Sequence, residues 1–131
     1  MPDEKYTVIN KGTWSEERCL AFSDSSDEAS HITENGNEKI EVCSLDEELY
    51  ERRKERVTFI KMDIEGAELE SLKGAGRIIR EQKPKLAICV YHKKEDIFDI
   101  PEYILSLNPK YKLYLRHYTL GEWNTVLYAI P

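Results

Sequence analysis

Residues Lys85–Tyr91, KLAICVY, form a nearly unbroken apolar run between Pro84 and His92-Lys93-Lys94. A strand with one wet face alternates polar and apolar residues. A run without alternation is buried on both faces, and such strands belong to parallel sheets covered by helices. Val57–Met62 is a second apolar run, followed by Leu69, Leu72, Ala75 and Ile79 at helical three- and four-residue spacing. Gly74 and Gly76 either break that helix or allow it close packing on the sheet. Strand, helix, strand predicts a parallel pair at the centre of an α/β fold.

The flanking segments fill out the order. Tyr6–Asn10, Arg18–Phe22 and Lys39–Cys43 read as strands, and the polar stretch Ser23–Lys39 as an exposed loop with a turn at Asn35-Gly36-Asn37. Ser44 and Glu47 form a capping-box pattern opening a helix with Leu45 and Leu49 on its inner face. Asp99-Ile100-Pro101-Glu102 opens another, with the stripe Ile100, Tyr103, Ile104 and Leu107, and Asn108-Pro109 closes it. Lys112–Leu115 and Thr125–Ile130, joined across His117–Asn124, are close enough in sequence for an antiparallel C-terminal hairpin.

With 131 residues the chain is read as a single domain, and its 34% charged residues describe a very polar surface. The net charge of −6 excludes nucleic acid as a partner, since phosphate binding needs clustered Lys and Arg. The short basic run Arg52-Arg53-Lys54 is flanked by Glu51 and Glu55 and reads as a solvated helix face. Cys19, Cys43 and Cys89 are odd in number and sit in apolar contexts, as reduced core thiols do. No run approaches the ~20 apolar residues of a membrane span. The start MPDEKY resembles no signal peptide. A cytoplasmic protein with no membrane partner is expected.

Three strand ends carry side chains able to do chemistry: Asp63 and Glu65, then His92 and Lys93, then Arg116, His117 and Tyr118. Neighbouring strands lie ~4.8 Å apart, so Asp63 and His92 can touch if their strands are parallel neighbours. A carboxylate beside an imidazole suits a general base, and with Glu65 it also forms a ligand set for a divalent metal. Bland roles compete with these. Asp63 or Glu65 could cap the following helix, Glu68 could be a solvated first-turn acid, and His92 a structural hydrogen-bond partner. Trp14 and Trp123 could serve only in packing. No G-x-G-x-x-G, Walker or G-x-S-x-G motif occurs, which removes most support for kinase and hydrolase functions.

The segments FIKMDIEGAELESLKGA, PKLAICVYHK, YKLYLRHY and TVLYA resemble, in order, the FkbM family of S-adenosylmethionine-dependent methyltransferases. The likeness runs from Tyr6 to Ala129, through Lys61, Asp63, Glu65, Gly66, Glu68 and the Val90–Lys93 element. It implies a class I methyltransferase (Rossmann-like) sheet with an antiparallel final strand, and O-methylation of a small hydroxylated acceptor such as a sugar or natural product. On this resemblance Asp63 faces the transferred methyl group, His92 is the base and Glu65 supports it. Gly12 and Trp14 lie near the cofactor adenine, and Lys93 and His117 near the acceptor. The family's first two strands, with their glycine-rich loop and ribose-holding acid, have no counterpart here. The resemblance therefore implies an N-terminally truncated domain, with weak or absent cofactor binding and no resident metal. The exposed edge of its fourth strand would invite a homo-dimer. A non-catalytic, self-associating module is the alternative.

Overall fold

The computed structural model describes residues 5–23, 31–32 and 38–131. Where the sequence predicts one sheet, the chain builds two. Strands β1 (Gly12–Thr13), β2 (Arg18–Ser23), β3 (His31–Ile32) and β4 (Glu38–Cys43) form a sheet in the order β1-β4-β2-β3. Strands β5 (Phe59–Met62), β6 (Lys85–Cys89), β7 (Lys112–His117) and β8 (Thr125–Ile130) form the second, in the order β5-β6-β8-β7. Helices α1 (Glu68–Lys73), α2 (Gly76–Glu81) and α3 (Asp96–Leu107) connect the second sheet, and a seven-residue π-helix, Asp46–Arg52, precedes it.

The central expectation holds in detail. β5 and β6 are parallel neighbours in the register Phe59↔Lys85 to Met62↔Ile88. The chain is buried from Leu86 to Val90, through β6 and one residue past it, as the unbroken apolar run requires. The hairpin β7–β8 is antiparallel, and β8 sits inside the sheet, antiparallel also to β6. Leu72, Ile78, Ile79, Leu86, Ile88, Ile100 and Ile104 are all fully buried and make the core between this sheet and the helices.

Four expectations need correction. Tyr6–Asn10 forms no strand: Tyr6 and Val8 are 77% and 76% exposed, so their alternation meets no core, and pairing begins at Gly12. The stretch Ser23–Lys39, read as one loop, holds β3 paired antiparallel to β2; the turn at Asn35-Gly36-Asn37 lies outside the described residues. Helix α3 starts at Asp96 instead of Asp99, because the Phe98 and Asp99 amides already donate to the Glu95 carbonyl. Pro101 therefore lies inside the helix. Cys19 is exposed, whereas Cys43 and Cys89 are core thiols as expected.

Local chemistry fixes how the two sheets meet. The Ser44 hydroxyl accepts the Glu47 amide at 3.1 Å, the first half of the expected capping box. Asp46 then acts at a distance in sequence: its carboxylate accepts the Arg77 and Ile78 amides, each at 2.9 Å, at the N-terminal turn of α2. The break between α1 and α2 falls at Gly74-Ala75. A Cβ on Gly74 would lie 2.0 Å from the Trp14 carbonyl oxygen, so glycine is required there for close approach. Thr13 joins the same seam, where Ser71 Oγ donates to its carbonyl at 2.8 Å.

Candidate active site

The parallel pair β5–β6 delivers its carboxyl ends to one place, the position where open α/β sheets carry their ligands. Asp63 follows β5, and Tyr91 and His92 follow β6. Tyr91 donates its phenolic hydrogen to Asp63 Oδ1 at 3.1 Å. His92 Nε2 lies 3.4 Å from Asp63 Oδ1 and 3.5 Å from Glu65 Oε1, and its Nδ1 lies 2.8 Å from Glu68 Oε1. The imidazole is only 8% exposed, with carboxylates on both sides and neither nitrogen in full hydrogen-bond alignment.

The turn between β5 and α1 makes this possible. Ala67 N donates to Ile64 O at 3.3 Å, and both central residues have positive φ, Glu65 at 57° and Gly66 at 93°, as in a type I′ turn. Gly66 suits that backbone; Glu65 is held there at a cost of about 1–2 kcal/mol. A side chain on Gly66 would also meet Lys93, whose Cε lies 3.1 Å from a built Cβ. The tight turn swings α1 so that Glu68, at its first position, points inward. Glu68 is fully buried, which overturns its reading as a solvated first-turn acid, and its Oε1 accepts the Ile64 amide at 2.9 Å.

Burial shifts the neighbouring groups. It pushes the Tyr91 phenol up to about 12, helped by its bond to Asp63, and the Cys89 thiol up to about 11, helped by the Asp63 charge. Asp96, at the start of α3 and nearly fully buried, is raised to about 6 by burial and then by the Glu68 charge, with Lys93 and His92 opposing. Its Oδ2 has no hydrogen-bond partner among the described residues. Sequence reasoning missed Tyr91, Glu68 and Asp96.

Of the residues expected at the site, Asp63, Glu65 and His92 converge, and Lys93 lies across Gly66 beside them. His117 does not join them. It pairs through Nδ1 with Thr125 Oγ1 at 2.8 Å on β7, three strands from β5 and so about 14 Å away by strand spacing. Gly12 lines a groove of about 530 Å³ with Val8, Lys11, Lys39 and Glu41, and neither Asp63 nor His92 lines it. The Trp14 amide donates to the Cys43 carbonyl at 2.9 Å, and its carbonyl oxygen packs against Gly74. Ligand atoms of Asp63, Glu68 and His92 lie within 4.8 Å of one another, a set that could hold a divalent metal, with Glu68 in place of the expected Glu65. Trp123 is 63% exposed and meets the Tyr91 ring edge-on at 6.2 Å.

Comparison with known proteins decides the family. The model of the methyltransferase FkbM domain matches residues 2–116. The chain belongs to the FkbM methyltransferase family. A crystal structure of Methyltransferase FkbM from Methylobacillus flagellatus KT is similar to it at 39% identity and a TM-score of 0.75, over 94% of this chain. The chain spans 28% of the length of that protein. No curated protein matches. The FkbM assignment agrees with the strand-end acids, since K-x-D-x-E-G-x-E is the stretch that builds the turn and the cluster. Among the described residues, no helix is long and apolar enough to cross a membrane.

Proposed function

We propose that this chain carries the proton-handling side of an S-adenosylmethionine-dependent O-methyltransferase, and that on its own it grips the cofactor only weakly. The observation that carries the proposal is the convergence of His92, Asp63, Tyr91 and two further carboxylates at the ends of two parallel strands. In the proposed arrangement β5, β6, β7 and β8 stand as the fourth, fifth, sixth and seventh strands of a class I sheet, with the antiparallel last strand inside it.

The residues fit the reacting end of such a cofactor better than its nucleoside. β1 and the segment after it, expected beside the adenine, are spent on other contacts: the Thr13 carbonyl and hydroxyl on Ser71, the Trp14 carbonyl against Gly74. The sequence also holds no glycine-rich turn. S-adenosylmethionine, when bound, supplies the methyl group. The chain's own residues handle the acceptor hydroxyl. His92 Nε2 takes its proton, a step that positioned bases accelerate by about 10²–10⁴-fold. Asp63, held by Tyr91, and Glu65 lie where the resulting imidazolium would be stabilised.

The test is amide-shift mapping of the ¹⁵N-labelled chain with millimolar S-adenosylmethionine. Shifts concentrated at residues 63–68 and 91–93 are expected. Shifts confined to the groove at Val8–Gly12, or none, would refute the assignment. A second reading, a self-associating module without catalysis, draws on the open edge of β5 and the 56% exposure of Phe59. Sedimentation of a stable dimer, with no cofactor-induced shifts, would favour it.

A further inference from the structure

We infer that the outer face of the second sheet is a docking surface for a helix of another polypeptide, apolar along one stripe and bordered by carboxylates. Side chains at paired positions of adjacent strands share a face. The row Ile60–Leu86–Ala129–Leu113 points inward, to the core that α1, α2 and α3 cover. The alternate row, Lys61–Ala87–Tyr128–Tyr114, points the other way, where no helix of the described residues packs. Strands apolar on both faces are ordinarily covered on both. β6 is such a strand: Ala87 and Cys89 lie on its outer side, with Val126 of β8 paired to Cys89. Phe59 and Tyr114, on the two outermost strands, are 56% and 55% exposed.

Charge selects the occupant. Lys61, Lys85, Lys112 and Arg116 are the cations of this face, and all four are exposed. None of them is in an ion pair among the described residues. Elsewhere the cations are matched: Arg52 and Arg53 hold Glu48, Lys73 holds Glu70, and Arg77 holds Glu51 and Glu81. No strand position on the outer face is Asp or Glu, although the chain carries a net charge of −6. The unmatched cations frame a small aliphatic centre. A second copy packed face to face would set those cations against themselves, an arrangement that disfavours pairing. A single-stranded nucleic acid would suit the cations but needs central rings on which bases stack, and Ala87, Cys89 and Val126 hold most of that centre. An amphipathic helix meets both demands. Three strand spacings make the face ~14 Å wide, room for one helix ~10 Å across. Small central side chains let its apolar stripe approach closely, and carboxylates on its borders reach the basic rim. The inference is independent of the chemistry proposed for His92.

Fluorescence anisotropy of the full chain with a labelled synthetic peptide tests the inference. The peptide is a helix of about 18 residues, with leucine and alanine along one side and glutamate on both borders. Saturable binding is expected at low salt, weakened at least ~10-fold in the double variant Lys85→Glu/Lys112→Glu and weakened also by ~150 mM salt. Both lysines are exposed, so the variant should keep the fold, which circular dichroism checks. Lys39→Glu, on the first sheet, should bind as wild type does. Two altered peptides should fail to bind: one with lysine in place of glutamate, one with serine in place of leucine. No saturable binding in the wild type overturns the inference without any variant. Equal binding of either altered peptide, or a folded double variant that binds as wild type does, overturns it as well. A labelled oligouridine that binds more tightly than the acidic peptide would make the face a nucleic-acid platform instead. A dimer of the chain alone that the double variant dissolves would make it a contact between copies. Neither outcome bears on the assignment of His92.

Discussion

Replacing Gly74 by Ala sets two effects of opposite sign against each other, and the structure says which wins. The Gly74 backbone has φ −74°, a helical value that alanine prefers, so conformational entropy alone favours the variant by about 0.5–1 kcal/mol. The added Cβ, however, would lie 2.0 Å from the Trp14 carbonyl oxygen, where ordinary contact begins near 3.4 Å. The obstacle is backbone, and no rotamer change relieves it. Helix and carbonyl must part by more than an ångström, pulling on the Asp46 amide bonded to the Gly74 carbonyl at 2.8 Å and on the Ser71–Thr13 bond. Overpacking costs about 1–3 kcal/mol and each weakened hydrogen bond about 0.5–1.5 kcal/mol, so a net loss of about 3 kcal/mol is expected. With a urea m-value of about 2 kcal/mol/M, the unfolding midpoint should fall by about 1.5 M. Gly76→Ala is the control. Its Cβ is tight only against the Tyr103 hydroxyl, at 3.2 Å and at the end of a side chain that can shift, with Leu107 and Arg80 side chains at ordinary contact of 3.8 and 3.9 Å, so its midpoint should stay near wild type. A Gly74→Ala midpoint at or above wild type would refute the docking of the Trp14 segment on α1.

Glu65→Gly should stabilise the fold by about 0.5–1 kcal/mol, because it relieves a left-handed glutamate at φ 57°; a lower melting temperature would contradict the strain. Asp96, raised to about 6 in the fold, holds its proton there more tightly than in the unfolded chain. Its contribution to stability is complete below pH ~4 and lost as pH rises through about 6. Asp96→Asn should therefore exceed wild type by about 2 kcal/mol at pH ~7.5 and match it near pH ~4, and an equal gain at both would refute the burial cost. Mn²⁺ at about 1 mM should leave the unfolding midpoint unchanged, whereas a rise of several degrees would make Asp63, Glu68 and His92 a metal centre.

The core of the second sheet was legible because its signals are local. The unbroken run Lys85–Tyr91 required burial on both faces, and strand spacing alone put Asp63 beside His92. Glu68 was illegible because its direction depends on the turn before it. Glu65-Gly66 with positive φ at both positions rotates α1 inward, and helical position alone reads the same residue as solvated. Glu-Gly between a strand and a helix is the signal that could have marked that turn. Tyr91 was counted into the apolar run, although a tyrosine hydroxyl at a buried strand's end needs a partner, and Asp63 is that partner. The separate first sheet escaped notice because short, half-polar strands such as Gly12–Thr13 and His31–Ile32 carry no periodicity of their own. The apolar residues at Tyr6 and Val8 pointed to a strand where no core exists.

Calorimetric titration with S-adenosylmethionine tests most directly whether this chain holds the proton-handling groups without a firm grip on the cofactor. A dissociation constant near the millimolar range is expected, a binding free energy of about −4 kcal/mol. A low-micromolar constant, about −8 kcal/mol, would mean that the chain binds the nucleoside well without a glycine-rich turn, and would contradict that division of labour.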